Sequence, residues 1–297
     1  MYRDSFSFIF SSASKDAIDK LKQYYDQYGF DDRLKKYEKE IIDCNNPETS
    51  YLFALNIPGA DIKAHEDVVL RGAFTDIMGL FAMNIKGADI EKIQEIFVNS
   101  RSYIANYKMA AYVQGIDIKP HEKIVLKSRN PKYCYLFAKD VPGANIAEHE
   151  QVVTDSEDAY LNYKFARDVK GANVGLHGSV VLRNGDAALN LDFARNVKGA
   201  DVYWHGERVI SNGTALENLT FAQFVKGADV KGHGEVVLRR GDGIMNYEFA
   251  KNVNGADVKA HGEEIIVNRS PQLNYQFAKD VKGADILGHA DVVIASG

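Results

Sequence analysis

Cysteine is scarce in this chain of 297 residues, and long apolar runs are absent. The two cysteines, Cys44 and Cys134, lie far apart and show no CxxC spacing, which argues against a disulfide framework or a thiolate metal site and favours a reducing compartment. No apolar run reaches the roughly 18 residues of a membrane-spanning helix. The opening segment, Met1 to Phe10, is too short and too polar for the apolar core of a secretory signal. We therefore expect a cytoplasmic protein without a membrane segment.

The chain also lacks an excess of positive charge. Its 36 lysines and arginines are outnumbered by 41 aspartates and glutamates, which gives a formal net charge of -5. No global basic field is available to hold a nucleic acid or an anionic membrane, so any such binding has to be local. Because 45% of the residues are hydrophobic, the chain is too apolar for a disordered protein and is expected to fold.

Internal repetition dominates the sequence. A glycine recurs every 28 residues, without one insertion, at Gly59, Gly87, Gly115, Gly143, Gly171, Gly199, Gly227, Gly255 and Gly283. The surrounding pattern is Tyr-x-Phe-Ala-x-x-Val-x-Gly-Ala-Asp-Val-x-x-His-x-x-Val-Val-Leu, and it is clear from Tyr247 to Ile266. A strict period of this length indicates stacked supersecondary units, none of which can bury its apolar face alone.

Each repeat is predicted to contain two helices. In the eighth repeat Tyr247, Ala250 and Val253 recur at intervals of three residues, a spacing that strand alternation does not produce. The second half of the repeat carries an apolar stripe at helical spacing, formed by Val258, His261, Ile265 and Ile266. The alternative takes the Val-Val-Leu triplet as a strand of a leucine-rich-repeat-like horseshoe. No asparagine ladder follows the triplet, so the helical interpretation is favoured.

Capping residues fit the same two helices. An N-cap is predicted at the beginning of each second helix, at Asp61, Asp89, Asp117, Asn145, Asn173, Asp201, Asp229, Asp257 and Asp285. Gly255 and its equivalents are predicted to end the first helix as left-handed residues. A capping residue also precedes a proline at the first position of three first helices, in Asn46-Pro47, Asn130-Pro131 and Ser270-Pro271.

The repeat continues in a weakened form toward the N-terminus. One period before the second helix of the first repeat, a degenerate helix is predicted from Leu34, Tyr37, Ile41 and Ile42. We therefore predict an all-α fold, a right-handed α-solenoid. Residues 1–45 are expected to form an N-terminal segment and a divergent helical cap, and residues 46–297 are expected to form nine αα repeats.

The Phe-Ala-x-x-Val-x-Gly-Ala-Asp-Val unit resembles the short 28-residue αα repeats of uncharacterised bacterial and phage proteins. More distantly, it resembles HEAT-like and leucine-rich-variant solenoids. The resemblance covers residues of roughly 46 to 297 and is specific for architecture. It implies a helical solenoid, and it implies neither a shared activity nor catalytic positions.

Histidine occurs in one column of the repeat only. The eight members are His65, His121, His149, His177, His205, His233, His261 and His289, and Ile93 fills the slot in the second repeat. Two histidines that share a zinc ion need their nitrogens within about 4 Å, whereas packed helices lie roughly 8 to 10 Å apart. We interpret the column as structural, with each imidazole bonded to a neighbouring group, and predict no metal and no cofactor.

A second polar column lies nine residues before each repeat glycine. It contains Asn106, Asn162, Asn190, Asn218, Asn246 and Asn274, with Ser50, Met78 and Cys134 in the other slots. A buried asparagine has to be paired, and the histidine column is a candidate partner. Cys134 is interpreted as a packing residue and not as a nucleophile. Glycines that directly follow four histidines, at Gly178, Gly206, Gly234 and Gly262, predict a close approach of neighbouring helices.

A basic row is the strongest signal for nucleic-acid binding. Four residues before the glycine, later repeats carry Lys139, Arg167, Arg195, Lys251 and Lys279. These residues are the candidate phosphate-binding set. Aspartates directly follow three of them, so the local field is mixed, and a charged column on a solenoid is usually its solvated face.

The variable columns are more informative, because in a solenoid the framework positions repeat while the binding positions differ. Leu176, Tyr203 and Trp204, the only tryptophan, form an apolar and aromatic group at positions that are mostly polar or small in other repeats. This composition is typical of an interface hot spot. Arg208 breaks an apolar column and is included in the candidate partner-binding set. The alternative is that Trp204 fills a groove left by Gly232 of the next repeat.

No nucleophile, base and orienting residue occur together, so we do not expect an enzyme. The sequence predicts a non-catalytic repeat scaffold that binds a protein partner, and the alternative is a HEAT-like solenoid that binds a nucleic-acid backbone on the basic row. The last repeat keeps its apolar residues Ile286, Val292, Val293 and Ile294. We therefore also expect a weak homodimer through residues 284–297.

Overall fold

The computed structural model describes residues 10–296, so the expectation for the opening segment falls largely outside the described residues. Within this range the structure contains twenty α-helices and no strand. The chain is an all-α solenoid with a regular period, as predicted. The Val-Val-Leu triplets lie in helices, which rejects the horseshoe alternative. None of the helices described has the length and apolarity needed to span a membrane.

Two compact units make up the chain, Met1–Val152 (unit 1) and Val153–Gly297 (unit 2). The helices of unit 1 are α1 Ser12–Tyr28, α2 Asp32–Asp43, α3 Pro47–Asn56, α4 Ile62–Arg71, α5 Thr75–Asn84, α6 Ile90–Ser100, α7 Tyr103–Tyr112, α8 Ile118–Ser128 and α9 Pro131–Asp140. The boundary between the units falls within α10 Ile146–Asp155. The helices of unit 2 are α11 Ala159–Asp168, α12 Val174–Asn184, α13 Ala187–Asn196, α14 Val202–Asn212, α15 Ala215–Phe224, α16 Val230–Arg240, α17 Gly243–Asn252, α18 Val258–Asn268, α19 Pro271–Asp280 and α20 Ile286–Ile294. The predicted boundary at residue 45 stays a prediction.

Within each unit the helices pack in the manner of a repeat stack. The two helices of a repeat lie against each other, as α3 and α4 do in unit 1 and α13 and α14 do in unit 2. First helices contact the neighbouring first helices, and in unit 2 each second helix, from α12 to α20, contacts the next. At the N-terminal end of unit 1, α1 packs on α3 and α2 packs on α4, so these two helices take the place of a repeat.

One phenylalanine per repeat forms the centre of the core. Its side chain is fully buried at Phe53, Phe81, Phe137, Phe165, Phe193, Phe221, Phe249 and Phe277, and Met109 takes this position in the third repeat. Burying a side chain of this size contributes about 1.5 to 3 kcal/mol relative to leaving it exposed. Because each ring packs between helices of its own and adjacent repeats, no repeat completes its core alone.

A tight turn joins the two helices of each repeat. In the eighth repeat α17 ends at Asn252, and the Ala256 N–H donates to the Val253 carbonyl at 3.2 Å. Gly255 is the third residue of this turn, with φ +87°, and all nine repeat glycines have φ between +79° and +95°. The left-handed conformation is confirmed. The predicted position at the helix end is wrong, because Val253 is already extended and the glycine belongs to a turn of type II geometry.

The second helix of each repeat begins at the predicted cap. Asp257 Oδ1, for example, accepts from the Ala260 N–H at 3.1 Å. The cap region of unit 1 differs from the prediction in one respect, because Tyr37 is 48% exposed and the buried residue is Glu38. Glu38 Oε1 accepts from the Asp61 N–H at 2.6 Å, so this carboxyl covers the N-terminus of α4.

Candidate functional site

A ladder of buried histidine and asparagine side chains occurs in both units. Asn218 Nδ2 donates to the carbonyls of Val209, at 3.1 Å, and Thr214, at 2.9 Å. Its Oδ1 is therefore the acceptor for His233 Nδ1–H, at 2.7 Å. The same bond, at 2.6 to 2.7 Å, joins His121 to Asn106, His177 to Asn162, His205 to Asn190, His261 to Asn246 and His289 to Asn274. The two polar columns of the sequence thus pair with each other inside each repeat.

Burial favours the neutral form of the ladder histidines in the folded protein. Seven rings lie against the phenylalanine of their own repeat, with centroids 4.5 to 5.0 Å apart. Burial lowers the pKa to about 4 in His65, His121, His149, His177, His205, His233 and His261, and burial also lowers the pKa of His289. A neutral, stacked and bonded imidazole is a packing element, which supports the structural interpretation of the column.

Two further observations concern a nucleophilic thiol and a metal site. Cys134 is fully buried, and burial raises the pKa of its thiol to about 12. A thiol held protonated is a poor nucleophile, which supports its interpretation as a packing residue. Among residues 10–296, no group of three or more His, Cys, Asp and Glu side chains is arranged to hold a metal ion.

The residue after the histidine position differs between the units. In unit 1 it is Glu38, Glu66, Gln94, Glu122 or Glu150, and the side-chain oxygens of the first four accept from the N–H of the residue that caps the next second helix. In unit 2 it is a glycine from Gly178 to Gly262. A Cβ at Gly262 would lie 3.1 Å from Phe277 Cε1 and 3.2 Å from His289 Nε2. Neighbouring helices therefore approach closely at these glycines, as the sequence predicts.

The basic row is exposed, and most of it is paired with carboxylates. Arg167 Nε lies 2.7 Å from Asp168 and Arg195 Nη2 lies 2.7 Å from Asp192. Lys139 contacts Asp140 at 3.4 Å, and Lys251 contacts Asp280 at 3.2 Å. The fifth member, Lys279, lies over the ring of Tyr275, with Nζ 5.9 Å from the centroid. Since acidic partners offset four of the five charges, the row presents little net field to a phosphate backbone.

An apolar and aromatic group lies on α12 and α14 of unit 2. Tyr203 is 61% exposed and Trp204 is 56% exposed, and their rings are in edge contact with centroids 5.0 Å apart. Both lie in the first turn of α14, where Asp201 Oδ1 accepts from the Trp204 N–H. Leu176 is 49% exposed in the first turn of α12, which contacts α14. We call Leu176, Tyr203 and Trp204 the aromatic patch.

The groove alternative for Trp204 does not hold. At Gly232, the space for a Cβ is limited by Ile210 Cδ1, at 2.9 Å, and by Asp229 Oδ2, at 2.6 Å. The indole is not among these neighbours, and more than half of its surface is exposed. Trp204 is therefore a surface residue and not part of the core.

Arg208 has a role inside the stack. Its Nε donates to the Leu182 carbonyl at 2.8 Å, and its Nη2 donates to the Arg183 carbonyl at 3.4 Å. The guanidinium thus caps the C-terminal end of α12 from the following repeat. The aromatic patch is placed on adjoining helices, whereas Arg208 bonds to the backbone of its neighbour.

A second exposed apolar side chain of unit 2 was not predicted from the sequence. Phe224, at the end of α15, is 59% exposed at a position where other repeats have Asp, Asn or Tyr. The Phe224 position is polar in the next two repeats, where Asn252 and Asp280 occupy it. Asp280 accepts a hydrogen bond from the hydroxyl of Tyr247 at 2.7 Å. Leu191 replaces the donating tyrosine in the repeat before Phe224. The sequence signal that could have identified Phe224 is this double replacement, in which the apolar pair Leu191 and Phe224 stands where Tyr247 and Asp280 form a polar pair.

Comparisons with protein-family models, curated proteins and solved structures find no match to this chain. The helical repeat architecture is shown by the structure itself.

Proposed function

We propose that the protein is a non-catalytic repeat scaffold that binds a protein partner through the aromatic patch. The single observation that carries the proposal is the exposed edge contact between Tyr203 and Trp204 in the capped first turn of α14. Large aromatic side chains that are exposed before binding and held by a rigid element are the usual centres of interface hot spots. Holding them in a helix lowers the entropy that binding has to overcome.

The rest of the repeat supports a structural framework around this patch. The histidines, the asparagines and the phenylalanines of unit 2 are buried and bonded or stacked within the stack. A side chain that is buried and bonded within the repeat stack is not available for catalysis or for contact with a partner. The aromatic patch departs from the framework columns, and an exposed apolar departure of this kind marks an interaction surface.

Affinity capture tests the proposal. The full chain and the Trp204→Ala variant are used as bait under the same conditions, with Phe224→Ala as a matched control that removes an equally exposed aromatic ring from α15. We expect a partner that the wild type and the control retain and that Trp204→Ala loses, with a cost of about 2 kcal/mol or more in affinity. Equal retention by all three baits contradicts the proposal.

Salt distinguishes the proposed function from the alternative of a nucleic-acid backbone on the basic row. Binding through phosphates weakens steeply between about 50 and 200 mM salt, because counterions are released from the backbone. Binding through an apolar hot spot changes little over that range. A steep loss, together with insensitivity to Trp204→Ala, would favour the row that contains Lys251 and Lys279.

A further inference from the structure

Four of the five tyrosines of unit 2 carry a cation of the chain itself on their ring. In each case the cation belongs to the residue four positions later, and its charged group lies 4.9 to 5.9 Å from the ring centroid. The pairs are Tyr160 and Lys164, Tyr163 and Arg167, Tyr247 and Lys251, and Tyr275 and Lys279. Residues four apart share one face of a helix, and a cation at this distance is attracted to the face of the ring.

The fifth tyrosine, Tyr203 of the aromatic patch, departs from this rule. The residue four positions later is Glu207, which is half-buried and carries the opposite charge. Trp204 has a basic residue at the same spacing, Arg208, but this guanidinium donates to two backbone carbonyls at the end of α12. Among residues 10–296 no lysine or arginine lies over either ring. The aromatic patch therefore has two exposed rings and no cation of its own.

The charges next to the patch are mainly negative. Glu207 lies on the face of α14 that carries Tyr203, and Glu235 takes the same repeat position on α16, which contacts α14. Neither carboxylate has an ion-pair partner in the described part of the chain. Lys231, which takes the position of Tyr203 on α16, is exposed and within that part lies over neither ring of the patch. The local field thus complements a positively charged group.

A guanidinium fits these surroundings better than an ammonium group. Its planar surface stacks on an aromatic ring, and the indole is the ring that attracts a cation most strongly. Its N–H groups lie in the same plane and form charge-assisted hydrogen bonds to a carboxylate. An ammonium group is a point charge without a surface to stack.

We propose that the aromatic patch and Glu207 together bind the guanidinium of an arginine side chain of the protein partner. The arginine takes the place that a basic residue of the chain itself takes on the four other tyrosines of unit 2. That the arginine belongs to a protein rests on the proposed function, whereas the guanidinium chemistry rests on the rings and the carboxylate.

The amide of N-acetyl-arginine is the probe. It is titrated into the full-length ¹⁵N-labelled protein at constant ionic strength, up to concentrations that saturate millimolar binding. The readout is the indole N–H signal of Trp204, which is unique because the chain has one tryptophan. We expect a saturable shift of this signal.

Two probes of similar size are the matched controls. The amide of N-acetyl-citrulline replaces the guanidinium with a neutral urea group of nearly the same shape, and we expect it to bind at least about tenfold more weakly. The amide of N-acetyl-lysine keeps the charge without the planar group, and we expect it to bind more weakly than the arginine probe.

Variants of Glu207 test the carboxylate. We expect Glu207→Gln to weaken the arginine probe by about fivefold or more, because a charge-assisted hydrogen bond is lost. Glu263→Gln is the matched control, since it changes the same repeat position on α18, where Lys259 Nζ lies 3.8 Å away, and it should leave binding unchanged. Glu207→Lys copies the pair of Tyr247 and Lys251 and should abolish binding, because the chain then supplies its own cation.

The proposal is overturned if the arginine probe causes no saturable shift, or if the citrulline or lysine probe binds as tightly. The last two outcomes would indicate a purely apolar surface or a site for any cation. Equal binding to wild type and Glu207→Gln also contradicts the proposal. If a variant does not fold, the comparison of the three probes on the wild type still decides. The proposed function fails separately, when capture of a partner does not depend on Trp204.

Discussion

At the scale of single residues, the repeats are held together by polar groups that are buried without charge. Asn218 satisfies His233 Nδ1 and two backbone carbonyls with one amide. A buried group left without its partner costs about 1 to 3 kcal/mol, so each asparagine acts on several groups at once. This is the reason why an asparagine recurs in a helix that gains nothing from it in intrinsic propensity.

Replacing Asn218 tests this role. We expect Asn218→Leu to lower the free energy of unfolding by about 1 to 3 kcal/mol, since it leaves the His233 N–H unpaired. The carbonyls of Val209 and Thr214 lose their second hydrogen bond and keep the one from a backbone N–H. Gln223→Leu, at an exposed site on the same helix, should change it by less than about 0.5 kcal/mol. Urea unfolding measures the free energy of unfolding of both variants. Equal effects of the two substitutions would mean that the ladder bonds contribute nothing.

The neutral histidines also make stability depend on pH. Burial holds their pKa near 4, below the value of about 6.5 in an unfolded chain, so between these values the unfolded state binds more protons. Stability is therefore full above about pH 6.5 and falls as the pH is lowered toward 4, by up to about 1.4 kcal/mol per pH unit for each histidine. Unfolding by urea at a series of pH values should show this slope.

A double variant isolates one rung of the ladder. Asn218→Met with His233→Ile copies the pair Met78 and Ile93 of the second repeat, which the structure contains as a buried apolar pair. We expect the pH slope to become shallower by the contribution of one histidine. An unchanged slope would show that His233 titrates normally in the folded protein.

The sequence predicted much at this scale, because a strict period aligns residues into columns. The pairing of the His and Asn columns followed from the need to satisfy a buried amide. The period did not show where Glu38 and Arg208 point, since Glu38 lies in the divergent cap and Arg208 replaces an apolar residue of its column. Nor did it show that Leu191 and Phe224 change together, because that exchange needs knowledge of which columns touch across repeats.

At the scale of the helix pair, the turn glycine sets the angle between the two helices. Gly255 has φ +87°, a conformation that costs other residues about 1 to 3 kcal/mol. Helix boundaries in the sequence were placed three residues too late, because the helix ends at Asn252 and the glycine lies in the following turn. Sequence periodicity continues through this turn, so the apolar Val253 gave no signal of the helix end.

A pair of glycine substitutions tests this account. Gly255→Ala should destabilise the protein by about 1 to 3 kcal/mol through its left-handed backbone. Gly175→Ala, on the exposed side of α12, should be neutral or stabilise by up to about 1 kcal/mol, because its Cβ meets only Asn173 Oδ1, at 3.5 Å. Thermal unfolding compares them. A similar loss in both variants would indicate that flexibility, and not the φ angle, is what the turn requires.

At the scale of the whole molecule, α20 presents large apolar side chains. Ile286, Leu287 and Ile294 are each more than half exposed. We expect a weak two-fold homodimer through residues 284–297, of which the structure describes all but the last. Sedimentation should show dimer at high concentration and monomer for the combined variant Val292→Lys and Ile294→Lys. A wild type that stays monomeric at every accessible concentration contradicts this expectation.

We propose that the repeats form a rigid framework and that the aromatic patch is the surface that binds a partner. Trp204 is the only tryptophan of the chain, so its fluorescence reports on this surface without a label. The most direct measurement is a titration of the full-length protein with a captured partner that lacks tryptophan or has had it replaced. We predict a saturable blue shift of the Trp204 emission as the 56% exposed indole leaves water. Saturable binding that leaves the emission unchanged would show that the partner is held elsewhere, and the central claim would be wrong.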